Sequence, residues 1–193
     1  MKRFCIFLLA VSCLACHEDY VPKPKGFLRL EYPEANYSEV HFKALPFTFQ
    51  GNTIAQDIKV KPLQQVTKSY GVNIEYSTLN GTIFLTYKAV ENDKKRLYDF
   101  IEDAQKLTLE HTKKADEIPV YPYENNANKV YGLLSEVKGN VASQVQFYVT
   151  DSINHFITAS LYFNTKPNYD SILPASQYIQ KDMKHLMETI KWK

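Results

Sequence analysis

VYGLLSEVKGNVASQVQFYVTDSINHFITASLYFN, residues Val130 to Asn164, decides the fold. Three stretches rich in β-branched and aromatic residues run from Val130 to Val137, Ala142 to Thr150 and Phe156 to Asn164. Lys138-Gly139-Asn140 and Asp151 to Asn154 separate them. Runs of this composition bounded by Gly, Asn, Asp and Ser read as strands. Links this short join antiparallel neighbours, because a parallel return needs a crossover of about a dozen residues. The stretch is therefore a three-strand meander. Successive side chains in a strand point to opposite faces, so Phe147 and Tyr148 belong to different layers, as do Tyr162 and Phe163. A sheet with aromatics on both faces has helices on both sides, or keeps one face for a partner. Phe147, Tyr148, Tyr162 and Phe163 are on that account the candidate partner-docking residues, since tyrosine packs its ring while its hydroxyl stays wet.

Upstream, Val72 to Tyr76 and Thr82 to Tyr87 flank Ser77 to Gly81, with Asn80-Gly81 supplying positive φ for a β-hairpin turn. Asn92 to His111 follows as a helix whose Leu97, Phe100, Ile101, Ala104 and Leu107 recur at three and four residues. Pro119 to Asn128 reads as a proline-and-asparagine loop. Downstream, Ile172, Ala175, Ile179, Met183, Leu186 and Ile190 make the apolar stripe of a second long helix, with Pro174 in its first turn and Asp170 or Ser171 as its cap. Phe27 to Tyr32, Phe47 to Phe49 and Ile58 to Val60 are shorter strands in a proline-punctuated half. The expected fold class is α+β: one antiparallel sheet, hairpin plus C-terminal meander, packed with two long helices.

The N-terminus is of another kind. Lys2 and Arg3 precede an uncharged run from Phe4 to Leu14. Eleven helical residues span roughly 16 Å, about half a bilayer core, which suits a signal-peptide core and not a membrane span. The run ends in Cys13-Leu14-Ala15-Cys16. A small residue just before a cysteine resembles a lipobox, the signal in which the cysteine thiol is acylated and becomes the first mature residue, although Cys13 stands where leucine is usual. The expected organisation is a signal peptide over residues 1–15, a lipidated tether over 16–26 and one globular domain over 27–193, with the membrane as partner through lipid on Cys16. An ordinary secretory cleavage near Ala15, giving a soluble protein, is the alternative. Glu18-Asp19 faintly resembles the acidic signals that send some lipoproteins to the cell surface, and equally suits a solvated linker.

Composition narrows the classes further. The cysteines are Cys5, Cys13 and Cys16, so a chain beginning at Cys16 keeps one, and it is acylated. Taking Lys2 and Arg3 from 23 basic residues leaves 21 against 21 acidic, without the basic excess of a nucleic-acid binder. His17, His41, His111, His155 and His185 show no metal-ligand spacing. Asp151, Ser152 and His155 are the residue types of a hydrolase triad, but a turn in which Asp and Ser bond their own backbone is simpler. No cofactor, metal or catalytic residue is expected.

Further sequence blocks carry a resemblance. They are PKPKGFLRLEYPE (Pro22 to Glu34), NGTIFLTYK (Asn80 to Lys88), the Val130 to Ser152 block, HFITASLYFNTKPNYDSILP (His155 to Pro174) and METIKWK (Met187 to Lys193). Together they resemble the gliding-motility lipoprotein GldD family of Bacteroidota. The resemblance implies a non-enzymatic accessory protein of the cell envelope, lipid-anchored and at the outer membrane, facing the periplasm or the surface. It implies other gliding and type IX secretion proteins as partners. A lipid-anchored small-ligand binder, with its pocket in the sheet–helix groove, is the second expectation, and a hydrolase the third.

Overall fold

The computed structural model describes residues 31–166 and 168–193; the signal peptide, Cys16, the tether and most of the expected Phe27–Tyr32 strand lie outside them. Tyr32–Lys193 forms one compact unit. In chain order its elements are β1 (Tyr37–Val40), β2 (Phe47–Asn52), β3 (Asp57–Leu63), β4 (Ser69–Tyr76), β5 (Gly81–Ala89) and helix α1 (Lys94–Leu109). Then come β6 (Ala115–Glu117), β7 (Val120–Asn125), β8 (Val130–Glu136), β9 (Lys138–Gly139), β10 (Val145–Thr150) and β11 (His155–Phe163). Helix α2 (Tyr169–Thr189) and β12 (Lys191–Trp192) end the chain.

The class is α+β, but the expected single sheet is three. A seven-stranded sheet runs β3-β4-β5-β11-β10-β8-β7, a three-stranded one β1-β2-β12, and a two-stranded one β6-β9. All pairings are antiparallel. Hairpin and meander form as expected and join through β5 and β11, nine residues in register from His155↔Ala89 to Phe163↔Gly81. The expected proline-and-asparagine loop is in fact strand β7. Pro122 fits there because β7 is an edge, and Pro62 sits likewise in β3 at the other edge. An edge strand tolerates a missing ladder donor, and proline there discourages pairing with another chain. The helices are unequal, 16 and 21 residues, so the expectation of two long ones holds only for α2.

Residue alternation divides the large sheet into two faces. The inner face carries Val72, Ile74, Ile83, Leu85, Ile157 and Leu161, all at 1 % exposure or less. Against it pack α2 through Ile179, Met183 and Leu186, and the small sheet through Phe47 and Phe49. The hairpin turn depends on this packing. Asn80 alone takes the left-handed conformation, at φ 53°, while Gly81 serves a close approach. A Cβ at Gly81 would lie 2.8 Å from Ile179 Cδ1 and 3.1 Å from the Phe163 ring. At Gly132 in β8 a Cβ would overlap the Tyr148 carbonyl oxygen of β10.

Helix α2 starts earlier than its stripe suggests, with Asn168 as cap in place of Asp170 or Ser171, so Pro174 falls in the second turn. The Tyr169 N–H donates to Asn140 Oδ1 at 2.8 Å, which satisfies one free donor of the helix start from the neighbouring loop. Helix α1 lies across the outer face over β10 and β11. Its Phe100 ring meets Phe156 at 5.6 Å, and the Lys88 ammonium sits 4.5 Å from the Phe100 centroid. None of its residues is buried.

Candidate functional site

The four aromatics divide as alternation requires. Phe147 is buried on the inner face, and Phe163 is half-buried there beside Gly81. Tyr148 and Tyr162 are half-buried on the outer face. Tyr148 stacks on Phe156 at 5.7 Å under α1. Tyr162 stands edge-on to Phe84 at 5.8 Å, and Phe84, 43 % exposed, lies beyond the cover of the helix. Phe147 is thereby closed to any partner; on this sheet Phe84 and, in edge strand β7, Val120 and Tyr121 are exposed, and Tyr162 is half-buried beside Phe84.

Between α1 and the sheet the outer face opens into a pocket of about 510 Å³. Ala104 and Leu107 form its roof, Ile118 and Val120 one wall, and Leu133 and Tyr148 part of its base. A row of polar residues crosses the floor: Ser135, Gln146 and Ser160 are in register on three adjacent strands. Gln146 ties roof to floor, since Thr108 donates to its Oε1 at 2.8 Å while its Nε2 lies 2.8 Å from His111 Nε2. The amide donates in that second bond, so His111 accepts and is neutral. Desolvation lowers the His111 pKa, against a smaller opposing pull from Glu110. The expected helical stripe contained the roof residues, but that pattern does not tell a stripe over a core from one over a cavity.

A second polar cluster, on the inner side, escaped the sequence reading. Asp182 of α2 is 3 % exposed. Its Oδ1 accepts from the Tyr37 hydroxyl at 2.7 Å and its Oδ2 from the Asn52 amide at 2.9 Å. The same amide reaches Tyr178 Oη, whose hydroxyl donates to the Pro33 carbonyl at 3.0 Å. Tyr37 also stacks on His185 at 3.7 Å. Burial first, then the Asp182 carboxylate, pushes the Tyr37 and Tyr76 phenols far above their ordinary range. The signal was present: Asp182 follows Ile179 by three residues and precedes Leu186 by four, an acid inside an apolar stripe. Every partner is a neutral donor, so the cluster is a clamp joining α2 to β1, β2 and the segment entering β1.

The candidate triad does not assemble. Asp151 Oδ1 accepts from the backbone N–H groups of Ile153, Asn154 and His155, at 3.0, 2.8 and 2.8 Å. His155 turns to the inner face, where Nδ1 meets the Tyr87 hydroxyl at 3.0 Å and the ring stacks on Trp192 at 4.9 Å. Burial raises the Tyr87 phenol to about 12 and lowers the His155 pKa. Among the described residues no three His, Cys, Asp or Glu side chains converge as a metal site would need, and no helix is long and apolar enough to cross a membrane.

The α+β domain thus has one sealed sheet face and one half-covered face that opens into a pocket under α1. Its family is specific: residues 17–192 match the gliding motility lipoprotein GldD family, and the chain belongs to it. Membership makes it a lipid-anchored protein of the cell envelope with a part in gliding motility. No curated protein and no solved structure matches the chain.

Proposed function

We propose that the protein is a non-catalytic accessory component of the gliding apparatus, anchored in the outer membrane by lipid on Cys16 and docked to other envelope proteins of the gliding and type IX secretion machinery. The family match carries this reading: it runs from the residue after Cys16 through the described domain to Trp192. The exposed Phe84 with the half-buried Tyr162 beside it offers the domain a surface on which to dock, since an apolar aromatic edge gains by leaving water while the tyrosine hydroxyl keeps a polar partner.

Chromosomal replacement tests both parts. Cys16→Ser removes the acylated thiol, and with it the buried CH₂ groups that make anchoring stable at about 0.8 kcal/mol each. The expected result is a protein that is either uncleaved or soluble, with loss of spreading on agar. Mass spectrometry of the mature N-terminus that finds an unmodified cysteine ends the anchoring claim. Phe84→Lys with Tyr162→Lys should leave the thermal midpoint nearly unchanged while abolishing spreading and co-purification with envelope partners; normal spreading by a stable, anchored variant removes the docking face.

A further inference from the structure

The pocket under α1 has features that a structural gap would not need. Ser135 and Ser160 are each 8 % exposed and Gln146 is 4 %. Gln146 has its partners in Thr108 and His111. The side-chain hydroxyls of Ser135 and Ser160 have none among the described residues. The two hydroxyls thus open onto a mostly apolar space with their hydrogen-bonding capacity not spent within the protein, the pattern of a small-molecule site, in which a few placed polar groups interrupt an apolar lining. The volume, about 510 Å³, is within the range of small-molecule sites.

Charge selects the class of occupant. Two carboxylates, Asp116 and Glu117, lie among the lining residues, which include no lysine, arginine or histidine. Glu117 is already paired with Lys138 at 2.8 Å. An anionic ligand would find no cation there and would face Asp116. A cationic head at the floor would meet only neutral hydroxyls and an amide already engaged. The walls are mostly aliphatic, with Leu107, Leu109 and Val120 partly open to solvent, which suits a flexible chain entering from the side more than a flat ring.

We propose that this pocket binds a neutral amphiphile of the monoacylglycerol class, its aliphatic chain under α1 and its hydroxyl or ester carbonyl on Ser135 or Ser160. The full lipidated chain in phosphatidylethanolamine vesicles is exposed to a monoacylglycerol carrying a diazirine in its chain, and separately to the free fatty acid with the same diazirine chain. After photolysis the labelled peptides are mapped by mass spectrometry. The glyceride should label peptides spanning residues 104–120 and 133–148 at least tenfold more than the acid does. Ala104→Trp, which fills the pocket from a half-exposed roof position, should cut that labelling about tenfold. Ser135→Ala or Ser160→Ala should cut it several-fold. If Ala104→Trp lowers the thermal midpoint, Leu107→Trp takes its place. Equal labelling by the two probes overturns the neutral class. Labelling confined to other surfaces, or unchanged in the filled variant, overturns the site and leaves the pocket to water or to a partner's side chain.

Discussion

Under α2 the large sheet presents Ile83, Leu85, Ile157 and Leu161 with almost no exposure. Under α1 the same strands present Thr158, Ser160, Gln146 and Tyr148, and the helix above them has no buried residue. One pleated surface thus serves two purposes. The inner face excludes water over its length and spends its one buried carboxylate on holding elements together. The outer face binds its helix through one ring contact, one cation–π contact and the Gln146 bonds, and leaves space beneath. Stability should reside on one side, and recognition on the side that stability does not require.

The sharpest way to break this contrast is to truncate one leucine on each side. Leu161→Ala leaves a cavity in a core with no slack and should cost about 3 kcal/mol, whereas Leu107→Ala, at a roof position already 40 % exposed, should cost less than about 1 kcal/mol. Urea unfolding of both variants measures this, and equal losses would mean that α1 is as much core as α2. Asp182→Ala belongs with the large effects. It strips the acceptor from the Tyr37 hydroxyl and the buried Asn52 amide together, for about 3 kcal/mol.

Acid should separate the faces by a smaller effect. His155, on the inner side, and His111, on the outer, both have pKa values lowered from 6.5, chiefly by burial. The unfolded chain therefore takes up protons near pH 6.5 that the folded rings resist. Stability is full above that value and falls as the pH drops through it, levelling off once the folded values are passed. His155 is held by Tyr87 and Trp192 within the core side, so its share should appear in global unfolding. His111 is relieved when α1 lifts, so its share should appear as faster amide exchange in α1 alone. His155→Gln should flatten the urea midpoint between pH 7 and 5, and His111→Gln the pH dependence of α1 exchange. If His111→Gln flattens the global midpoint instead, α1 does not open separately.

Legibility in the sequence followed the same division. The hairpin, the meander and α2 were readable because each buries a periodic apolar pattern against the inner face. Alternation separated Phe147 from Tyr148 and Tyr162 from Phe163, and the register of β10 on β11 then puts Phe147 with Phe163 and Tyr148 with Tyr162. Strand β7 was not readable, since Pro122 and its asparagine neighbours carry turn chemistry and only the edge position in the assembled sheet makes them tolerable. Three sheets in place of one follow from β1, β2 and β12. Trp192 pairs with Phe47 across 145 positions of sequence, a distance over which periodicity says nothing. A pocket in the sheet–helix groove was an expectation, but its floor was not legible for a similar reason: Ser135, Gln146 and Ser160 are ordinary outward positions of three strands until pairing brings them into one row.

The smallest effect concerns how α1 is fixed at its start. Asp93 Oδ1 accepts from the Arg96 N–H at 3.1 Å, and the Arg96 guanidinium reaches back to the Val90 carbonyl at 3.0 Å and to Glu91 at 2.6 Å. Glu91 and Asn92 just ahead are both left-handed, at φ 57° and 56°, so the chain enters the helix through a strained corner that the cap and the arginine hold. A helix with no buried face draws little from packing and depends more on its ends. Asp93→Ala should cost about 1 kcal/mol, and the loss should be local. Amide exchange in the first turns of α1 should rise roughly fivefold, for about 1 kcal/mol of lost protection, with α2 unchanged. A uniform rise across both helices would show that the outer helix unfolds only with the whole domain, and the two faces would then be one cooperative unit.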